Sequence, residues 1–251
     1  MSKLVDKLGG LAKSSGEPIG FHASVPEVRS PGMLLIAGLS GAQVKEAKII
    51  HDINADAGLI LGEGSNAKIV KQMVEAMGDV PLGVFVKNMS EEKINEVANS
   101  GCDFVVFDVK MPATVLDEER VGKFLMVEPS LDQGLVRAIN DFDVNAVLIS
   151  RGADSFVTVE HLFVCRRFVE LVEKPVIMSL PCLLSKAELT NLWQAGIDGV
   201  VVPPSQSVEA LTELKVMIAD LPRGTRGRRS RASAALPQYG GLVTVEEEEE
   251  E

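Results

Sequence analysis

Short aliphatic runs alternate with helix-like segments along most of the chain. The runs cover residues 33–39, 57–61, 82–87, 103–109, 123–127, 146–150, 175–179 and 198–202. Successive runs start about 24 residues apart, which is the length of one strand, one helix and two short loops. Because the runs are apolar apart from a few charged residues at or near their ends, each predicts a strand that is buried on both faces.

The segments between the runs carry signals for the start of a helix. Candidate N-terminal caps are Ser40, Ser65, Ser90, Ser130 and Ser185. Gln133 and Glu188 follow the last two serines by three residues, which predicts two capping boxes. The weakest predicted helix is the fourth, at residues 113–120, because it is short and highly charged.

Eight alternations of strand and helix predict a parallel sheet, and eight such units close into a (β/α)8 TIM barrel. An open doubly wound sheet is the alternative, but it normally carries a glycine-rich dinucleotide turn, and no G-x-G-x-x-G occurs here. We therefore predict a barrel over residues 33–221. Residues 1–32 are predicted as an amphipathic helix followed by an extended piece. Within that piece, residues 18–24 could plug the barrel floor or form the true first strand.

The composition changes after residue 221. Five arginines lie between 223 and 231, residues 236–245 are semi-apolar, and residues 246–251 are six glutamates. Such segments bury too little surface to fold alone, so residues 222–251 are predicted to be a disordered tail. Residues 242–245 (LVTV) could dock on a protein partner, with the glutamates contacting its basic groups. A plainly solvated tail is the alternative.

Charge and cysteine content narrow the class of protein. The net charge of −11 argues against nucleic-acid binding and favours small-molecule ligands. No apolar run is long enough for a membrane span or a signal peptide. Cys102, Cys165 and Cys182 lack C-x-x-C spacing, which predicts core residues in a reducing cytoplasm. The chain could also assemble as a homo-oligomer.

Charged residues stand at the predicted carboxyl ends of the strands, where barrel enzymes place their reacting groups. The catalytic candidates are Glu63, Lys87, Asp108, Lys110 and Glu128. A lysine beside a second cation loses its proton more easily, so it can form a Schiff base or act as a general base, while carboxylates shuttle protons. The candidates for holding an anionic substrate are Arg151, Ser179, Ser205 and Ser207. The three carboxylates among these candidates would also suit Mg²⁺.

Two segments resemble known families. Asp108-Val109-Lys110, followed by Pro112 and Thr114, resembles the D-x-K signature of the orotidine-phosphate decarboxylase group, although position 113 is alanine where that family has a second aspartate. Residues 174–202 are similar to the last strands of ribulose-phosphate-binding barrels. The second resemblance implies a phosphate site in the turns after strands seven and eight.

Those two turns depart from the family pattern, since they contain Pro181, Pro203 and Pro204 in place of glycines. Proline has no N–H to donate, which argues against a phosphorylated substrate and against flavin mononucleotide. No nicotinamide or P-loop motif is present either, so the sequence identifies no cofactor.

Two hypotheses follow from the sequence. The first is a lyase, aldolase or isomerase that acts on a small anionic metabolite through its strand-end lysines. The second is a non-catalytic barrel that binds a partner or assembles subunits through its charged tail.

Overall fold

In the computed structural model, eight strands form one closed parallel barrel. The structure describes residues 2–13, 32–41, 43–62, 66–87, 90–150, 156–180 and 182–222. Each strand is hydrogen-bonded to the next one along the chain, and the eighth closes on the first. This confirms the predicted TIM barrel. The extended piece at residues 18–24 and the tail beyond Pro222 lie outside the described residues.

All eight strands begin and end within one residue of the sequence prediction. They are β1 (Leu34–Leu39), β2 (Ala57–Ile60), β3 (Leu82–Val86), β4 (Phe104–Asp108), β5 (Gly122–Val127), β6 (Ala146–Ile149), β7 (Val176–Ser179) and β8 (Gly199–Val202). The prediction succeeds because a strand buried on both faces has to be apolar along most of its length.

Eight α-helices are formed by the described residues. They are α1 (Lys3–Lys13), α2 (Val44–Asp52), α3 (Ala67–Met77), α4 (Glu91–Asn99), α5 (Gln133–Ala138), α6 (Val159–Leu171), α7 (Lys186–Ala195) and α8 (Val208–Ala219). The weak fourth segment is instead a 3-10 helix, Ala113–Asp117, so β4 and β5 are joined without an α-helix. Both that crossover and the six-residue α5 cover the barrel thinly.

The predicted capping residues are only partly right. Ser185 and Glu188 form the predicted capping box at the start of α7. The box at Ser130 is wrong, because Asp132 caps α5 and accepts a hydrogen bond from Gly134 N. Ser40 does not cap α2 either, since its hydroxyl donates to the Glu46 carboxylate at 2.8 Å. These cases depend on which side chain reaches the first free amides, and spacing alone does not determine that.

An apolar layer lies on each face of the barrel wall. The outer layer packs the strands against the helices, and the inner layer fills the barrel. In the inner layer the rings of Phe104 and Phe124 are stacked with centroids 4.7 Å apart. A β-carbon at Gly83 would lie 2.2 Å from the Phe104 ring, so only glycine leaves room for that ring on β3.

Helix α1 closes the floor of the barrel. Leu4 and Leu8 are fully buried in the inner layer. Asp103, just before β4, accepts hydrogen bonds from Ser2 Oγ at 2.7 Å, Lys3 N at 2.7 Å and Leu4 N at 3.1 Å. One carboxylate therefore satisfies the free amides at the start of α1 and attaches the helix to the barrel.

We expect Asp103→Ala to lower the free energy of unfolding by about 1–3 kcal/mol, because three hydrogen bonds to one carboxylate are lost. Urea denaturation measures this. Asp79→Ala is the matched control, since Asp79 contacts Lys3 only at the surface, at 3.7 Å, and exposed pairs contribute about 1 kcal/mol or less. Equal losses in the two variants would contradict this role for Asp103.

An ion pair between buried Glu118 and exposed Arg120 supports the thin crossover between β4 and β5. Glu118 is 8% exposed, and it accepts hydrogen bonds from Arg120 N and Nε at 2.8 Å. Arg120 also donates to the side chains of Asn95 and Asn99 on α4. The side-chain hydrogen bond from Arg120 lowers the pKa of Glu118 below its ordinary value, against the opposing effect of burial.

A carboxyl whose pKa is lowered in the folded state stabilises the protein above its unfolded pKa, and this contribution is lost as pH falls through the folded value. We therefore expect the stability difference between wild type and Glu118→Gln to be constant near neutrality and to shrink below about pH 4.3, the unfolded value. Urea titrations at several pH values measure it. Glu119→Gln, at an exposed neighbouring position, controls for the lost charge. A difference that grows in acid would contradict the assignment.

Candidate active site at the mouth of the barrel

The register of β3 against β4 brings a lysine beside an aspartate at the mouth. Val86 lies opposite Phe107, so the next positions along the two strands, Lys87 and Asp108, are also opposite each other. Phe104 and Val106 face the inner layer, and alternation along the strand gives Asp108 the same inward direction. Asp108 is half-buried and Lys87 is exposed at the opening. Neighbouring strands are about 4.8 Å apart, so the two residues share one wall of the mouth.

A second polar group lies on the opposite wall. Ile149 is opposite Met178, so Ser150 is opposite Ser179 in the next position. Val127 is opposite Ile149, so Glu128 is next to Ser150 in the same way. Both serines are half-buried and Glu128 is exposed. Ser150 was not among the predicted site residues, although the alternation of Ala146 and Leu148 on the inner face would have identified it.

Lys110 lies at the rim, beyond the end of β4. Its backbone N–H donates to Asp108 Oδ1 at 2.9 Å, which ties the carboxylate into the turn. The side chain of Lys110 is exposed. Among the catalytic candidates, the structure therefore places Lys87 and Asp108 side by side, with Lys110 above them and Glu128 on another strand. Glu63 and Arg151 lie outside the described residues.

The two serines predicted to hold an anion after β8 have different surroundings. Ser207 caps α8, and its hydroxyl accepts a hydrogen bond from Ala210 N at 3.2 Å. The Glu209 carboxylate is bound at the same helix start, where its own backbone N–H and then the Ser207 hydroxyl lower its pKa. The first turn of α8 therefore already holds a negative charge belonging to this chain, which competes with an external anion.

Ser205 lines a cavity of about 250 Å³ that sequence reasoning missed. The cavity lies where β1 and β8 meet α2 and α8, and Gly38, Glu46 and Gln206 are also on its wall. Glu46 accepts hydrogen bonds from Ser40 N and Oγ, both at 2.8 Å. A carboxylate held on the wall disfavours a phosphate there, because like charges repel at short range.

The described part of the chain shows no metal site, and its two buried cysteines are not reactive. It contains no group of three His, Cys, Asp or Glu side chains that could hold a metal ion. Cys102 and Cys165 are buried core residues, as predicted, and burial raises the pKa of each thiol to about 12. These thiols are therefore protonated near neutral pH and are poor nucleophiles. No described helix has the length and apolarity needed to cross a membrane.

The fold is similar to that of tryptophan synthase. A mutant alpha-subunit from Pyrococcus furiosus superimposes with a TM-score of 0.59 at 15% identity, over 76% of this chain and 98% of that chain. A tryptophan synthase structure from Mycobacterium tuberculosis, the open form with BRD0059 bound, gives 0.60 at 14% identity, over 87% and 97%. A second one from that organism, in space group F222, gives 0.61 at 13% identity, over the same shares.

No family model and no curated protein sequence matches this chain. At 13–15% identity the structural similarity shows the fold alone. It supports the TIM-barrel class, and it does not extend to the ribulose-phosphate-binding or orotidine-phosphate decarboxylase resemblances.

Proposed function

We propose that this chain is a lysine-dependent barrel enzyme, of lyase, aldolase or isomerase type, that acts on the carbonyl group of a small anionic metabolite. The observation that carries the proposal is the position of Lys87 opposite Asp108, inferred from the β3–β4 register. A primary amine and a carboxylate on one wall of a barrel mouth are the groups that Schiff-base chemistry needs.

In the proposed reaction, Asp108 takes a proton from the Lys87 ammonium, and the resulting amine attacks the substrate carbonyl carbon. A C–N bond forms, Asp108 returns the proton to the carbonyl oxygen as it leaves as water, and a protonated imine results. That imine withdraws electrons from the adjacent carbon, so a neighbouring C–C or C–H bond can break. Asp108 takes the proton released from that C–H bond, or from the hydroxyl beside the breaking C–C bond, and returns it to carbon. Water then hydrolyses the imine, which releases product and regenerates Lys87.

The other candidates hold and orient the substrate in this proposal. Lys110 at the rim and Arg151 attract its anionic group, and a guanidinium can bind a carboxylate with two hydrogen bonds. The hydroxyls of Ser150 and Ser179 donate to substrate oxygens from the opposite wall. Ser207 contributes less because Glu209 occupies its helix start, and Ser205 contributes less because Glu46 lines the same cavity. Glu63 and Glu128 are further proton carriers. The names of the similar structures, tryptophan synthase and its alpha-subunit, are compatible with an enzyme that has a protein partner.

Borohydride trapping tests the role of Lys87. Small carboxylated or phosphorylated aldehydes and ketones are first screened by thermal shift, because a ligand of the native state raises the melting temperature. Reduction of the protein with a binding compound should leave a covalent adduct on Lys87, detected by mass spectrometry. Lys87→Ala should abolish the adduct, whereas Lys93→Ala, an exposed lysine on α4, should retain it. An adduct that persists in Lys87→Ala, or none with any carbonyl compound that binds, would overturn the assignment.

Asp108→Asn separates proton transfer from binding. We expect the trapped adduct to form still, while turnover of the bound carbonyl compound falls by roughly 10²–10⁴, the usual contribution of a general base. Stopped assays of substrate loss measure this, with Asp117→Asn on the neighbouring 3-10 helix as the control for charge. Unchanged turnover in Asp108→Asn would remove Asp108 from the mechanism.

The second candidate function is a non-catalytic barrel that binds a protein. Two observations favour it. Glu209 occupies the helix start at which such barrels bind phosphate, and apolar side chains are exposed on α6. The adduct experiment discriminates between the two functions, because a binding module has no reason to form a reducible imine.

A further inference from the structure

Three apolar side chains at the start of α6 are exposed to solvent. Phe156, Val159 and Phe163 have relative exposures of 60%, 64% and 71%, and we refer to them as the α6 patch. Val159 and Phe163 are four residues apart, which places them on the same side of the helix. Exposed phenylalanines that cluster in this way mark an interaction surface.

The patch lies on the side of α6 opposite the buried stripe of His161, Cys165 and Phe168, which packs on the barrel. Arg167, one turn beyond Phe163 on the same side of α6, donates to the Pro129 carbonyl in the loop before α5. This hydrogen bond links α6 to the loop before its short neighbour α5. With six residues α5 is about 9 Å long, whereas α6 is about 20 Å. Leu135 on α5 is itself 58% exposed and extends the apolar surface.

Arginines border the patch on a protein that is acidic overall. Arg166 and Arg167 lie on α6, and exposed Arg137 lies on α5. The acidic residues of α6 are Glu160 and Glu170, and Glu170 pairs with Arg166 at 2.8 Å. Helices α5 and α6 together therefore carry a net charge of +1, from three arginines and two glutamates, whereas the whole chain carries −11. Such a border suits a partner segment that is apolar and then strongly acidic.

The C-terminal segment of this chain has that composition. Residues 242–245 are Leu-Val-Thr-Val, and six glutamates follow directly. The described chain ends at Pro222, just after α8. The intervening residues 223–241 could extend up to roughly 60 Å. Helix α7 packs between α6 and α8, and two interhelical distances of about 10 Å each separate the outer two helices. The segment is long enough to reach the patch.

We propose that residues 242–245 of the chain's own C-terminal segment dock on the α6 patch, with the glutamates beside Arg137. The apolar residues cover the exposed phenylalanines, and the glutamates form charge-assisted contacts at the border. Attachment within one molecule favours this occupant, because a short tether gives an effective concentration in the millimolar range. The proposal does not depend on the lysine chemistry at the mouth.

Hydrogen–deuterium exchange of the full-length protein tests this. We expect the amides of residues 242–245 to exchange at least about tenfold more slowly than in a synthetic peptide of residues 236–251, because docking protects them. Phe163→Ser should return them to the peptide rate, and so should Val159→Ser. Val216→Ser is the matched control, since Val216 on α8 is 57% exposed and lies outside the patch. Circular dichroism checks that each variant is folded.

Salt and concentration series identify the contacts and the occupant. Protection should weaken in 1 M NaCl, because screening reduces the contribution of the glutamates. It should not change with protein concentration. Exchange at the peptide rate in wild type, or protection that survives Phe163→Ser and Val159→Ser, would overturn the proposal. Protection that rises with concentration while dimers sediment would also overturn it, since the segment would then come from a second copy. Salt-independent protection would remove the arginines from the contact.

Discussion

The hydrogen-bonded register between neighbouring parallel strands is the constraint on which the candidate site depends. Residues that are opposite each other on adjacent strands face the same side of the sheet. Val86 opposite Phe107 therefore puts Lys87 beside Asp108, and a slip of one residue on β3 would turn Lys87 to the outer layer. Close packing at the other end of β3 opposes such a slip, because the Phe104 ring fits only over Gly83.

This dependence explains what the sequence could predict. Strand positions follow from local apolar runs, so all eight were predicted to within one residue. The predicted strand positions also give the carboxyl ends of the strands. The sequence therefore placed four residues at the mouth, namely Lys87, Asp108, Glu128 and Ser179. Which residues are paired between neighbouring strands is a tertiary property. Predicting each strand separately therefore did not show which candidates lie together. Ser150 was missed, and the carboxylate of Glu209 at the start of α8 could not be foreseen, because it depends on the side-chain hydrogen bonds made at that helix end.

The barrel wall is thin from β4 to β6, and polar groups compensate for the missing helix. Lys123 on β5 faces outward and is only 3% exposed. Its ammonium donates to the Leu116 carbonyl at 2.6 Å and to Asp143 at 2.5 Å. A buried charge is tolerated only when it is paired and hydrogen-bonded in this way. Around α5, Asn140 and Arg167 make the corresponding contacts, since Asn140 donates to the Leu171 carbonyl at 2.9 Å and Arg167 donates to the Pro129 carbonyl.

Local charge, more than net charge, determines which ligands such a protein accepts. At physiological ionic strength, exposed charges are screened beyond about 8 Å, so a ligand at the mouth senses mainly the groups that line it. An anion there meets Lys87 and Lys110 but also the carboxylates of Asp108 and Glu128, so its attraction depends on which of these groups it contacts. The same reasoning applies at α6, where the arginines offer an acidic segment a positive border. An acidic chain terminus is repelled by an acidic body elsewhere, so the proposed contact of its apolar residues depends on such a border.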